Sequence, residues 1–289
     1  MKILQLYESK KASVISLEFF PPKDAGAFEK TVDELALLQP DYVTVTFGAG
    51  GSTREGSYQT VKRLIEDKNL PVVAYIAGYG LGPNEITAVL DKYQALGIGT
   101  IFVIRGDKPR EADFVPHPDS FNYAYEMLRF IRERYDFTLG CAGYPEGHIE
   151  AENLEADIEH LKLKIDSGAE YVVTQFCYDN SLFANYVEKC RARGITVPII
   201  PGIMPVYSLK LTRTLTKLCG ASIPESMKRL LDGLADAGSD TVLDFGIDQA
   251  TEQCRGLLRQ KVPGLHFYTM DRSRSTCEII RRLKSDRLI

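Results

Sequence analysis

The sequence predicts an α/β protein folded as one (β/α)8 TIM barrel over residues 1–289, and three observations carry that prediction. Short β-rich runs alternate with helical patterns from end to end, the mark of repeated βα units around a parallel sheet. The runs number eight, at 14–19, 42–47, 72–76, 100–104, 137–141, 171–176, 197–200 and 265–268. No linker or low-complexity tract divides the chain, and eight units in 289 residues favour a closed barrel over a doubly wound sheet, the architectural alternative.

Between the runs, apolar residues recur at helical spacing. After the third run, Ile86, Val89, Leu90, Tyr93 and Leu96 form one stripe, and Gly97 stands where a helix end favours glycine. After the sixth, Ser181 can cap a helix whose Leu182, Tyr186 and Val187 face inward and which Gly194 ends. The seventh unit is long, from 208 to 262, with breaks near Pro224 and Gly238, so several helices are expected there.

Composition narrows the function classes. The chain is 44% hydrophobic and 26% charged, ordinary for a globular protein, and 35 Lys and Arg against 39 Asp and Glu leave a net charge of −4. No general attraction to nucleic acid or to an anionic membrane follows, so an anionic ligand must be held by local groups. Residues 1–11 mix charges among apolar side chains, unlike a signal peptide, and no run is long and apolar enough to span a bilayer. The six cysteines are scattered without a C-x-x-C pair or matching histidines. They read as buried small hydrophobes in a reducing cytoplasm, not as disulfides or metal ligands.

In such a barrel the chemistry sits at the carboxyl ends of the strands. The first run leads into Glu18-Phe19-Phe20-Pro21-Pro22, a carboxyl among apolar residues, where desolvation favours the protonated form and hence a general acid near neutral pH. The alternative is a Glu paired with a buried Arg or Lys. The second ends in Thr46-Phe47-Gly48-Ala49-Gly50-Gly51-Ser52; Thr53 stands where a dinucleotide fingerprint requires Gly or Ala, so a Rossmann reading fails. What remains is a plain turn or a turn that lets a flat ligand approach the backbone. The fourth runs into Arg105-Gly106-Asp107-Lys108-Pro109, the fifth into Tyr144-Pro145-Glu146-Gly147-His148, the sixth into Gln175-Phe176-Cys177 and the seventh into Pro201-Gly202-Ile203-Met204-Pro205. A lone histidine or glutamine at such a position is ordinarily structural.

Taken together and in order, Glu-Phe-Phe-Pro-Pro, Val-Thr-Val-Thr-Phe-Gly-Ala-Gly, Arg-Gly-Asp, Tyr-Pro-Glu-Gly-His, Thr-Gln-Phe, Pro-Gly-Ile-Met-Pro and His266-Phe267-Tyr268-Thr269 resemble the methylenetetrahydrofolate reductase catalytic domain, from Glu18 almost to the C-terminus. The resemblance implies a flavin-binding barrel that reduces 5,10-methylenetetrahydrofolate to 5-methyltetrahydrofolate with NADH or NADPH. Hydride passes through the flavin while the protein supplies position, a proton and electrostatics. Nicotinamide and folate use one flavin face in turn, so no Rossmann module is needed. Glu18 is implied as the acid that opens the bridged ring of the folate to an iminium, Asp107 as a group beside flavin and pterin, and Gln175 as a folate contact. Thr46, Arg105, Gly106, Tyr123, Ala124, Tyr144, His148, Asp157 and Lys164 match positions that hold the flavin, expected as FAD with FMN as the alternative.

The chain also departs from the pattern. Where the family commonly has His-Leu-Thr-Cys after the third strand, this chain has Tyr75-Ile76-Ala77-Gly78, and His160 and Leu163 replace an Asn and an Arg that help hold the cofactor. Losing an Arg removes a bidentate phosphate donor. The chain ends soon after the eighth unit, which predicts a bacterial-type, catalytic-domain-only enzyme, with a homo-oligomer or an electron-transferring partner subunit as its conceivable assemblies. The rival readings are another flavin barrel of the proline dehydrogenase kind, a pterin-binding methyl-transfer or carrier barrel without redox activity, and a structural barrel within a larger complex.

Overall fold

Eight parallel strands close on themselves in sequence order, β1 pairing with both β2 and β8. The computed structural model describes residues 2–10, 12–22, 24–48, 54–107 and 114–289. The strands are β1 (Val14–Phe19), β2 (Tyr42–Val45), β3 (Val72–Ala77), β4 (Thr100–Ile104), β5 (Thr138–Gly143), β6 (Tyr171–Phe176), β7 (Ile199–Ile203) and β8 (Gly264–Tyr268). The helices are α1 (Leu4–Ser9), α2 (Ala25–Ala36), α3 (Arg54–Glu66), α4 (Pro83–Ala95), α5 (Ala124–Arg132), α6 (Leu154–Asp166), α7 (Asn180–Ala192), α8 (Leu209–Cys219), α9 (Glu225–Gly233), α10 (Ser239–Arg259) and α11 (Ser273–Ser285). Every residue of β1 and β2 is buried, as helices cover the outer face and side chains fill the interior.

The barrel is sealed at the amino ends of its strands. The amide of Ile3 donates to Thr100 Oγ1 at 3.1 Å, the hydroxyls of Tyr7 and Tyr42 lie 2.8 Å apart, and Tyr7 stacks on Tyr171 at 6.4 Å. Tyr171 can lie across the interior because Gly140 faces it; a Cβ there would sit 2.2 Å from its ring.

The strand ends differ from the sequence expectation in an instructive way. β5 and β7 run later than 137–141 and 197–200 because they include Gly143 and Gly202, residues of low strand propensity kept where neighbours approach closely. β2 stops at Val45, though the amide of Thr46 still donates to Phe19 O at 3.1 Å. The cap of α7 is Asp179, whose carboxylate accepts from the amide of Ser181 at 2.8 Å, and its buried face is Phe183, Tyr186 and Cys190, with Leu182 and Val187 half-buried. The long seventh unit is three helices, α8 to α10, separated near Pro224 and Gly238 as expected. No helix among the described residues is long and apolar enough to cross a membrane.

Candidate active site at the barrel mouth

Alternation along β1 places Ser16 and Glu18 on the interior face, and on the adjoining β8 His266 and Tyr268 face them in register. Glu18 is 6% exposed and its Oε2 lies 3.8 Å from Nε2 of the fully buried His266. The other ring nitrogen of His266 is 2.8 Å from Ser16 Oγ, and Nε2 has no hydrogen-bond partner. Among the described residues, the basic side chain set against Glu18 is therefore this histidine, not the Lys or Arg that the alternative reading required. Two phenols wall the carboxyl. Burial, and next the charge of Glu18, hold Tyr75 and Tyr268 well above the usual tyrosine range, so both stay neutral. Tyr75 stacks on Phe102 at 4.6 Å, and Tyr268 donates to Thr174 O at 2.7 Å across Gly202, where a Cβ would meet its ring.

Beside this pocket, the ends of β4 and β5 and the helices α5 and α6 bound a groove of about 530 Å³. Its walls include Arg105, Tyr123, Ala124, Tyr144, His148, Asp157, His160 and Lys164, residues expected at a cofactor site. Asp157, His160 and Lys164 share one face of α6 by their spacing of three and four, and Asn153 caps that helix by accepting from the amide of Ala156 at 2.8 Å. Lys164 Nζ donates to Ala142 O at 2.6 Å and lies 5.5 Å from the centre of the Tyr144 ring. Arg105 pairs with Glu150 at 2.5 Å, which raises its already high proton affinity. Burial pushes the Asp157 carboxyl up against the opposing pull of Lys164 and His148, and burial pushes His148 down. Leu163 lies on the same wall, 45% exposed, and offers an anion no donor.

The other expected residues lie outside the lining of that groove. Thr46 is buried at the end of β2 with an unpartnered hydroxyl. Gly106 has φ +85°, a left-handed turn suited to glycine, and leads to the exposed Asp107, whose charge reaches Arg105 and Tyr144. Gln175 is half-buried near the end of β6, where the register with β7 shifts between Val173 and Phe176, and its Oε1 accepts from the amide of Phe176 at 3.0 Å. Tyr268 responds to both Glu18 and Tyr144, which ties the acid pocket to the groove. Ala49 to Thr53 of the Gly-rich turn, and Lys108 and Pro109, lie outside the described residues.

Sequence reasoning did not single out His266, Ser16 or Tyr268 as site residues. The available signal was polar residues two apart on two β-rich runs, at 16 and 18 and at 266 and 268, which in a closed barrel must face one another. Chemically the arrangement offers a dry carboxyl at the floor of the mouth and a groove with two cations and aromatic walls. The unpartnered Thr46 hydroxyl and the Arg105 and Lys164 cations fit a flat polar ring carrying an anionic tail.

The sequence pattern described as methylenetetrahydrofolate reductase matches residues 2–284. A 5,10-methylenetetrahydrofolate reductase of Escherichia coli (strain K12) is 32% identical over 273 residues, covering 93% of this chain and 90% of that protein. Methylenetetrahydrofolate reductase 1 of Schizosaccharomyces pombe is 33% identical over 95% of this chain but 46% of its own length. Methylenetetrahydrofolate reductase (NADH) 1 of Zea mays is 32% identical over 94% of this chain and 48% of its own. The chain thus spans about half the length of these last two relatives. A solved structure from Clostridium thermocellum, of a protein described as binding two copies of 5-methyl-5,6,7,8-tetrahydrofolic acid, superposes with TM-score 0.68 over 98% of this chain and 99% of that one. At 16% identity this is a likeness of fold.

Proposed function

This chain belongs to the methylenetetrahydrofolate reductase family, and on that premise we propose that it reduces 5,10-methylenetetrahydrofolate to 5-methyltetrahydrofolate with NADH or NADPH, in a ping-pong sequence that uses a bound flavin. The observation that carries the reading is the buried carboxyl of Glu18 at the floor of a mouth whose rim is a cation-bearing groove. A flavin held there would supply hydride transfer, accepting from the nicotinamide and delivering to the folate. Arg105, Tyr123, Ala124, Tyr144, His148, Asp157, His160 and Lys164 would hold its tail, and Thr46, Tyr75, Gly106 and Asp107 its ring end.

The remaining steps belong to the protein. Glu18 gives its proton to one of the two folate nitrogens that share the bridging carbon; that carbon–nitrogen bond breaks, and the lone pair of the other nitrogen forms the iminium that hydride then converts to a methyl group. The negative charge of Asp107 favours the cationic iminium, and Gln175 offers its amide to the folate ring. Tyr75 and Tyr268, held neutral, exclude water from the acid without competing for its charge. The His266–Ser16 pair beneath restricts how the carboxyl turns. Leu163 removes a phosphate donor from the groove, so flavin retention is weaker than with Arg there, and FMN is the alternative to FAD.

The purified protein should be yellow, release a flavin on denaturation, and lose its visible absorbance on addition of reduced nicotinamide without folate. Intersecting, not parallel, initial-rate lines would overturn the ping-pong sequence. A colourless protein that binds folate and leaves nicotinamide unoxidised would be a carrier or methyl-transfer barrel.

A further inference from the structure

The ladder between β1 and β8 ends with Glu18 beside Tyr268, yet the extended chain runs on through Phe19 to Phe20, leaving the carbonyl of Glu18 and the amide of Phe20 to be satisfied on that side. The chain after β8 cannot supply backbone partners, because it turns sharply: the amide of Arg272 donates to Thr269 O at 2.9 Å, and the two central residues, Met270 and Asp271, have φ +51° and +52°. Positive φ at both central positions marks a type I′ turn, which favours Asn-Gly and disfavours a residue such as methionine. Backbone kept in so sparsely populated a region points to a constraint that outweighs its cost.

The side chains of this turn complete the ladder. Thr269, fully buried, donates from Oγ1 to Glu18 O at 2.6 Å and accepts from the amide of Asp271 at 3.2 Å. The carboxylate of Asp271 in turn accepts from the amide of Phe20 at 3.1 Å, and Thr31 of α2 donates to Asp271 O at 3.4 Å. Two side chains thus grip the backbone on either side of Phe19, immediately above the carboxyl of Glu18.

We propose that Asp271 and Thr269 are positioning residues for Glu18, acting as a clamp that replaces missing ladder bonds and holds the end of β1 so that the acid stays aimed at the mouth. The role assigned to Glu18 rests on the proposed function; the clamp itself rests on the geometry of the turn. What matters in Asp271 is an acceptor oxygen on a residue that tolerates left-handed backbone, and asparagine has both.

The test uses the full chain, with the cofactor it purifies with, in three variants: Asp271→Ala, Asp271→Asn and Thr269→Val. Hydrogen exchange of the peptide containing Phe20 should quicken about tenfold or more in Asp271→Ala and Thr269→Val, and be no faster than wild type in Asp271→Asn, as loss of the side-chain bonds at an otherwise intact end requires. Folate reduction should lose about tenfold or more in kcat in the first two variants, with the nicotinamide half-reaction within about threefold, since small misplacements of an acid carry such penalties. Thr269→Val carries the test if Asp271→Ala does not fold. Unchanged exchange in both disruptive variants, an asparagine variant as impaired as alanine, or equal loss in both half-reactions would overturn the clamp. If the wild type reduces no folate, the proposed function fails and the exchange data alone judge the clamp.

Discussion

Replacing Asp271 with asparagine should make the protein more stable, and by an amount that depends on pH. Burial is the main reason that the carboxyl of Asp271 is pushed up from 3.8 to about 6; the nearby charge of Glu18 adds to it and the amide of Phe20 opposes it. The folded state therefore keeps this proton to higher pH than the unfolded chain does. Its contribution to stability is fully present below pH 3.8 and is lost as pH rises to about 6. A rise of that size corresponds to ~3 kcal/mol, and solvent screening of a half-buried group reduces the expected effect to ~2 kcal/mol. Asparagine keeps the acceptor for Phe20 and tolerates the left-handed turn, while removing the charge. Urea unfolding at a series of pH values should show the variant ~2 kcal/mol more stable at about pH 8, with the difference vanishing near pH 4. A difference independent of pH, or a variant less stable at about pH 8, would refute the reasoning.

Three further outcomes follow from the site. Glu18→Gln should lower folate reduction by about a hundredfold or more, as loss of a general acid does, while reduction of the bound cofactor by nicotinamide survives; equal loss in both, with cofactor content intact, would remove Glu18 from the proton step. Asp107→Asn removes a charge that both half-reactions feel, so stopped-flow traces should show faster reduction by nicotinamide and slower folate turnover, and a variant unchanged in both would sink this role. Leu163→Arg adds a donor to the groove wall and should strengthen flavin retention; identical occupancy after dilution would contradict it.

Residues that repeat locally were legible before the structure. The β-rich runs gave all eight strands, and the stripe from Ile86 to Tyr93 gave the buried face of α4, because burial imposes a short period on the sequence. The six-residue plug α1 left no such signal, since too few side chains share a face and its Tyr7 is satisfied only by residues far along the chain. Within the site, reading the strand ends singled out Glu18 as a candidate acid and placed Arg105 and Gln175 at the mouth, while their roles came through the resemblance. The residues on α5 and α6 came only through the resemblance, because nothing in the pattern of a helix says which polar face will meet a groove. His266 and Asp271 were out of reach for a different reason. Each meets β1 across some 250 positions, and that meeting depends on the barrel closing.

The tyrosine-lined plug has a consequence for traffic. Among the described residues, Tyr7, Tyr42 and Tyr171 pack together under the barrel, at the end away from the mouth that Glu18 faces. On the role proposed for Glu18, its ligands come and go by the mouth, so a departing product stands in the path of the next arrival. An acid in that role would also regain its proton by the mouth, in the interval when no ligand fills it. Turnover then depends on how quickly the threshold clears as much as on how quickly bonds change behind it.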